Sequence, residues 1–275
     1  MTTLTYADYL HVETLLSLQE PRTPDTASRS VVLAEHFFIV THQASELWLK
    51  QITFDLDAAA EAMTPPYGPE DDELALEFLQ RTTELLRVLH EQVVALERLP
   101  LRHFAEFRPF LDGASGAQSA QFRVLARLLG GSRQEGRLYR AFERLTEHHG
   151  SSVAEVCARG PAAGVLNRLA DSLLDVANGY WRWKVTHLAL VSKMVGNRDG
   201  TGGSTGVDHL ARRVTLPFPR LRQLRAQVHD GPTVESPPTG RANDHLRPDH
   251  LASFVDSRQN CGGDQREDKG EQHDG

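Results

Sequence analysis

Cysteine is nearly missing from this chain: there are two in 275 residues, Cys157 and Cys261. Two distant thiols make neither a disulfide framework nor a zinc pattern, and they fit a reducing, cytoplasmic setting. No apolar run approaches the roughly 20 residues that span a bilayer, and no charged-then-apolar leader opens the chain, so no membrane partner is expected. A cationic excess is absent too. The net charge is −7, and from Asp230 onward ten acids face five Lys or Arg, which leaves the body near neutral. That balance argues against nucleic acid as a partner, because a phosphate backbone is met with dense positive charge. Period-two alternation is almost lacking, so a sheet is not expected. Paired metal ligands at helical spacing are lacking as well. None of the 13 histidines lies three or four from another, and no Glu stands three before a His. Helical zinc and di-iron motifs need that spacing to bring ligands onto one face.

What the chain does have is helical periodicity. Apolar residues recur at helical intervals over 31–63 and 70–99, and Pro65-Pro66-Tyr67-Gly68-Pro69 separates the two runs. Residues 4–19 share that spacing up to a proline-bearing stretch, 20–25. Further helices are expected through Phe122, Leu125 and Leu129, over 139–148 and over 162–195. Residues 208–214 read as a weaker helix, and Pro217 and Pro219 interrupt the stretch up to Val228. The pattern predicts an all-α fold, a helical bundle over residues 1–229. From 230 to 275, four prolines, many acids and few large apolar residues predict a disordered acidic tail.

Several positions could carry chemistry. Trp183, His187, Leu190, Val191 and Met194 share one helix stripe. An imidazole among such groups keeps a neutral lone pair, which suits an iron ligand, or it is a core histidine bonded to a nearby carbonyl. Phe38, His42, Ser45 and Leu49 share a second face, either a pocket wall or a half-buried surface. Beside them, His36 reads as a surface residue, and Glu46 and Lys50 as a stabilising i, i+4 pair. Arg108 stands among His103, Phe104, Phe107 and Phe110, where a guanidinium either forks onto a carboxylate or lies over ring faces. The loop from Gly200 to Gly206 lacks the lysine of a phosphate loop and the third glycine of GxGxxG. It is a helix cap, or a loop whose backbone and Thr201 hydroxyl close over a polar ligand. Ser115 lies in a GASGAQS turn and not in a GxSxG elbow, which gives serine hydrolysis little support.

Taken together, these stretches resemble the tryptophan 2,3-dioxygenase family. The resemblance rests on YADYLHVETLLSLQ (6–19), HFFIVTHQASELWLKQITFDLD (36–57), FRPFLDGASGAQSAQFR (107–123) and WRWKVTHLALVSKMVGNRDGTGGSTG (181–206). It implies an all-helical, indoleamine/tryptophan dioxygenase-like bundle around haem b, assembled as a homotetramer. By motif, His187 would be the iron ligand and His42 the distal histidine that contacts the indole N–H. Phe38 and Phe104 would wall the pocket, Arg108 would bind the substrate carboxylate, and Thr201 would lie near its ammonium. Ser115 would fall in the distal turn. Tyr6, Tyr9 and Leu10 would complete the pocket of a neighbouring subunit. The implied reaction inserts O2 across the C2–C3 bond of L-tryptophan to give N-formylkynurenine, in tryptophan catabolism. Ala117 stands where the family has phenylalanine, and the span 123–181 is shorter than the family's. Those departures leave an alternative, a related haem oxygenase or hydroxylase acting on a modified tryptophan or a tyrosine in secondary metabolism.

Overall fold

The structure, a computed structural model, describes residues 3–196, 198 and 207–230. They belong to one compact unit, Met1–Gly231. The expected disordered tail lies outside the described residues, as does Thr201.

Three long helices organise the fold: α3 (Arg29–Ala62), α4 (Asp71–Leu96) and α9 (Val165–Val195). Ala34, Ala59 and Ala60 are among the buried residues of α3, and α4 packs along that helix. Arg81 of α4 then grips the buried Asp55 of α3 with Nε and Nη2, at 2.9 and 2.8 Å, which fixes the register of the pair. Asp71, Asp72 and Glu73 occupy the first turn of α4, where the helix dipole favours negative charge. Against the other side of α4 lies α9, at close range where Gly179 meets Leu86. Gly196, at φ +60°, ends α9, and its N–H donates to the Ser192 carbonyl. Thus α4 is packed along both partners, while α3 and α9 hardly touch one another.

Shorter elements close the ends. They are α1 (Tyr6–Leu10), α2 (Val12–Leu16), α5 (Leu101–Phe107), α6 (Ala120–Leu129), α7 (Arg137–His148), α8 (Val153–Arg159), α10 (Val207–Ala211) and α11 (Pro219–Gln227). The all-α expectation holds, with one addition: Gly130–Gly131 and Gln134–Glu135 pair as a minute antiparallel hairpin. A side chain at Gly130 (φ +74°) would collide with the backbone of Gly136, so glycine is required there. The periodicity gave no helix for α5 or α8 and ran α4 on to 99, and two breaks also differ. The single helix read over 4–19 is broken at His11, which adopts φ 51° and ψ 44° between α1 and α2. Pro219, read as an interruption, instead opens α11, because a helix's first turn needs no N–H from it.

Candidate active site

Phe38 and His42, one turn apart on α3, have ring centroids 4.0 Å apart. Phe38 also meets Phe107 at 5.5 Å and Phe104 at 6.1 Å, and those two meet edge-on at 5.4 Å. Packing of α5 on α3 leaves Phe107 fully buried, which makes the aromatic group a continuous wall. On α9, Trp183 stacks on His187 with centroids 5.4 Å apart and planes 14° apart, and Phe122 stacks on Trp183 at 4.9 Å.

The two imidazoles share an uncommon environment. Solvent reaches His42 freely and His187 in part. Even so, protein surrounds both rings closely enough to lower each. Burial, and then the neighbouring His42, push His187 down to about 4. Desolvation lowers His42 against the opposing pull of Phe38 and Glu46. Neither is fully enclosed, and they lie near enough for His42 to depress His187 further. Both are neutral at pH 7.

The His42 hydrogen bond also sets its tautomer. Nδ1 lies 2.7 Å from the Phe38 carbonyl oxygen. A carbonyl oxygen can only accept, so Nδ1 carries the proton and Nε2 presents a lone pair. Ser45, one turn on, donates to the Thr41 carbonyl and to Gln92 of α4, at 2.8 and 3.0 Å, so its hydroxyl braces the helix pair. Near His187, Trp183 Nε1 is buried with no partner among the described residues, a donor left for a bound group to satisfy.

Adjoining the aromatic wall is a cavity of about 610 Å³ between α5 and the end of α9. Phe104 and Arg108 line it together with Asp112, Lys193, Met194 and Arg198. Lys193 Nζ donates to the Glu97 carbonyl at 3.1 Å, which ties α9 to the end of α4.

Of the residues singled out in the sequence, Phe38, His42, Phe104, Arg108 and His187 thus fall around one connected region. Ser115 is not in the cavity lining. Its hydroxyl caps a short 3-10 turn, accepting from the Ala117 N–H, and its own N–H donates to Gln118. Tyr6, Tyr9 and Leu10 stand exposed on α1, outside that lining. His36 is exposed as expected. The Glu46–Lys50 pair is not formed: Lys50 Nζ lies 5.7 Å over the Phe54 ring, one turn further on. Sequence reasoning passed over Asp112, Lys193 and Arg198. Only for Asp112 was there a signal, its place four residues after Arg108.

This is a helical protein that gathers aromatic rings and two imidazoles where α3, α5 and α9 come near one another. Comparison with known proteins gives the family. A profile described as tryptophan 2,3-dioxygenase matches residues 1–156 and 143–228, and the chain belongs to that family. A protein named tryptophan 2,3-dioxygenase from Herpetosiphon aurantiacus is 30% identical, with 82% of this chain and 98% of the relative covered. Those of the same name from Kineococcus radiotolerans and Pseudomonas aeruginosa are 30% and 28% identical, with 82% of this chain and 91% and 90% of the relatives covered. The two matched stretches meet at 143–156, across the turn from α7 to α8.

Proposed function

We propose that this chain is a haem-dependent dioxygenase that inserts both atoms of O2 across the indole C2–C3 bond of L-tryptophan, giving N-formylkynurenine. The observation that carries the reading is the pair of wetted, neutral imidazoles on α3 and α9, in a chain whose relatives bear the name of that activity. The residues suit haem b: His187 offers an uncharged nitrogen, Trp183 and Phe122 back it, and the buried Trp183 N–H awaits an acceptor. Haem, held by His187, would supply the iron at which O2 is activated. No observation in the gap favours the alternative substrates.

The other roles belong to the protein. His42 Nε2 accepts the indole N–H, and the proton stays on the substrate because an indole N–H is a far weaker acid than an imidazolium. Phe38 and Phe104 hold the ring by its faces. Arg108 forks onto the carboxylate, Thr201 lies near the ammonium, and Ser115 belongs to the distal turn. Catalysis then rests on orientation and on an apolar surround.

We place residues 1–229 in one haem-binding domain followed by the acidic tail, and the assembly as a cytoplasmic homotetramer. Self-association is supported by Leu33, Val40, Leu47 and Phe54, which recur every seventh residue along α3 and are all exposed. In such an assembly Tyr6, Tyr9 and Leu10 reach a neighbour's pocket.

Reduced, haem-loaded protein incubated with L-tryptophan under 18O2 is expected to yield formylkynurenine carrying two labels. Haem loading without that product, or product with one label, would overturn the reading. His187→Ala is expected to lose the haem absorption band, whereas His42→Ala keeps it.

A further inference from the structure

A threonine inside a helix usually turns its hydroxyl back to a carbonyl of the same helix. Thr41, Thr53, Thr83 and Thr146 do so here, at 2.7 to 3.1 Å. Thr186, one residue before His187 on α9, behaves differently. Its Oγ1 lies 3.0 Å from Nε2 of His90, across the contact with α4. The Glu91 carboxylate stands 3.5 Å from the other ring nitrogen of His90, which favours the proton on that side. Nε2 is then the acceptor, and the Thr186 hydroxyl donates to it.

The place of this bond along α9 gives it leverage. Gly179 meets Leu86 at close range, and Lys193 donates to the Glu97 carbonyl. Thr186 lies midway, seven residues from each, on the same seam with α4. His187 follows at once, about 1.5 Å further along the axis and about 100° around it. A displacement of Thr186 therefore reaches His187 almost undiminished. On the other side of α4 there is a counterpart: Gln92 accepts from the Ser45 hydroxyl at 3.0 Å, three residues after His42 on α3. Residues two apart on a helix point about 200° apart around its axis. His90 and Gln92 thus reach in opposite directions, one to each helix that carries a site imidazole.

We infer that His90 is a positioning residue, which through the Thr186 hydroxyl fixes where α9 presents the His187 imidazole to a bound iron. The inference rests on the proposed reading of His187 and deepens it. The strength of an iron–imidazole bond depends on how the ring is aimed, and the groups behind a ligand set that aim. Apolar packing alone lets a helix slide or turn by small amounts at little cost. A directional bond beside the ligand removes that freedom.

The test uses haem-loaded, ferrous, O2-free protein and reads the iron–imidazole stretching band by resonance Raman, with haem affinity measured by titration. Thr186→Val keeps the outline of the side chain and removes the hydroxyl. It is expected to shift the band and to weaken haem binding about ten-fold. His90→Leu is expected to do the same, and the two together no more than either alone, because they break one bond. Thr186→Ser is expected to restore both readings. Wild type without an iron–imidazole band would overturn the reading of His187 and this inference with it. A wild-type band that Thr186→Val and His90→Leu both leave in place, with only the melting temperature lowered, would overturn the inference alone.

Discussion

Lys184, one turn before His187 on α9, is a lysine without an acid. Its Nζ donates to the Thr215 carbonyl at 3.1 Å and lies 4.6 Å over the Tyr180 ring, with no ion-pair partner among the described residues. Burial pushes it down to about 8 from its ordinary 10.5. Between those values the unfolded chain holds the proton and the folded chain has released it, so this group makes stability rise with pH across that window. Its burial penalty is fully present below about pH 8 and fades above it. Lys184→Met, which carries no such proton, is therefore expected to lose ground against wild type in urea melts as pH climbs from 8 towards 10.5. Parallel stability curves for the two proteins would contradict this. Glu35 makes a second residue-scale case. Buried on α3, it accepts the N–H groups of Arg22 and Thr23 at 2.8 and 2.9 Å, and so pins the proline-bearing stretch to the bundle. Glu35→Gln leaves one of those donors with a poor acceptor and is expected to cost about 1–3 kcal/mol in urea unfolding. The letters gave no hint of this role, because the partners are a dozen residues upstream and are backbone groups.

At the scale of elements, the α4–α9 contact turns on Leu86 and Gly179. A Cβ at Gly179 would stand 3.2 Å from the Leu86 Cβ, which sits on a helix and cannot swing aside. Gly179→Ala gains roughly 1 kcal/mol of helix propensity, and overpacking of about 1–3 kcal/mol outweighs it. The variant is expected to be slightly less stable than wild type. Leu86→Ala alone leaves a cavity at a fully buried site and is expected to cost about 2–5 kcal/mol. The Leu86 Cβ stays in that variant, so the alanine at 179 remains crowded at 3.2 Å and keeps its cost. The two costs are then expected to add in thermal melts of all four proteins, and a double variant more stable than Leu86→Ala would place the crowding on the outer atoms of the Leu86 side chain. Periodicity located both helices, since apolar spacing is a local property. It could not tell that Gly179 is the point of closest approach, as nothing near it in the chain differs from an ordinary helical glycine.

For the whole molecule, the stripe Leu33, Val40, Leu47 and Phe54 leaves large apolar side chains in water on a 34-residue helix. Leu47→Asp combined with Phe54→Asp, on a face turned away from the buried side of α3, is expected to reduce the assembly's mass in light scattering with the helical content unchanged. An unaltered mass would place the interface on another surface. The amino-acid sequence by itself determined that the fold is all-α, roughly where its long helices run, and which motifs identify the family. Each of these depends on residues within a few turns of one another. It left His42 and His187 suspended between core and ligand, because a lone histidine on an apolar face looks the same in either role. Tertiary structure supplies their surroundings. α4 holds α3 and α9 apart, so rings 145 positions distant in the chain share one wetted gap. Only packing brings the turn after α5 against the end of α9, where Arg108, Asp112, Lys193 and Arg198 line one cavity. Local spacing sets helices, but burial and charge balance at a site are sums over neighbours that the chain order does not contain.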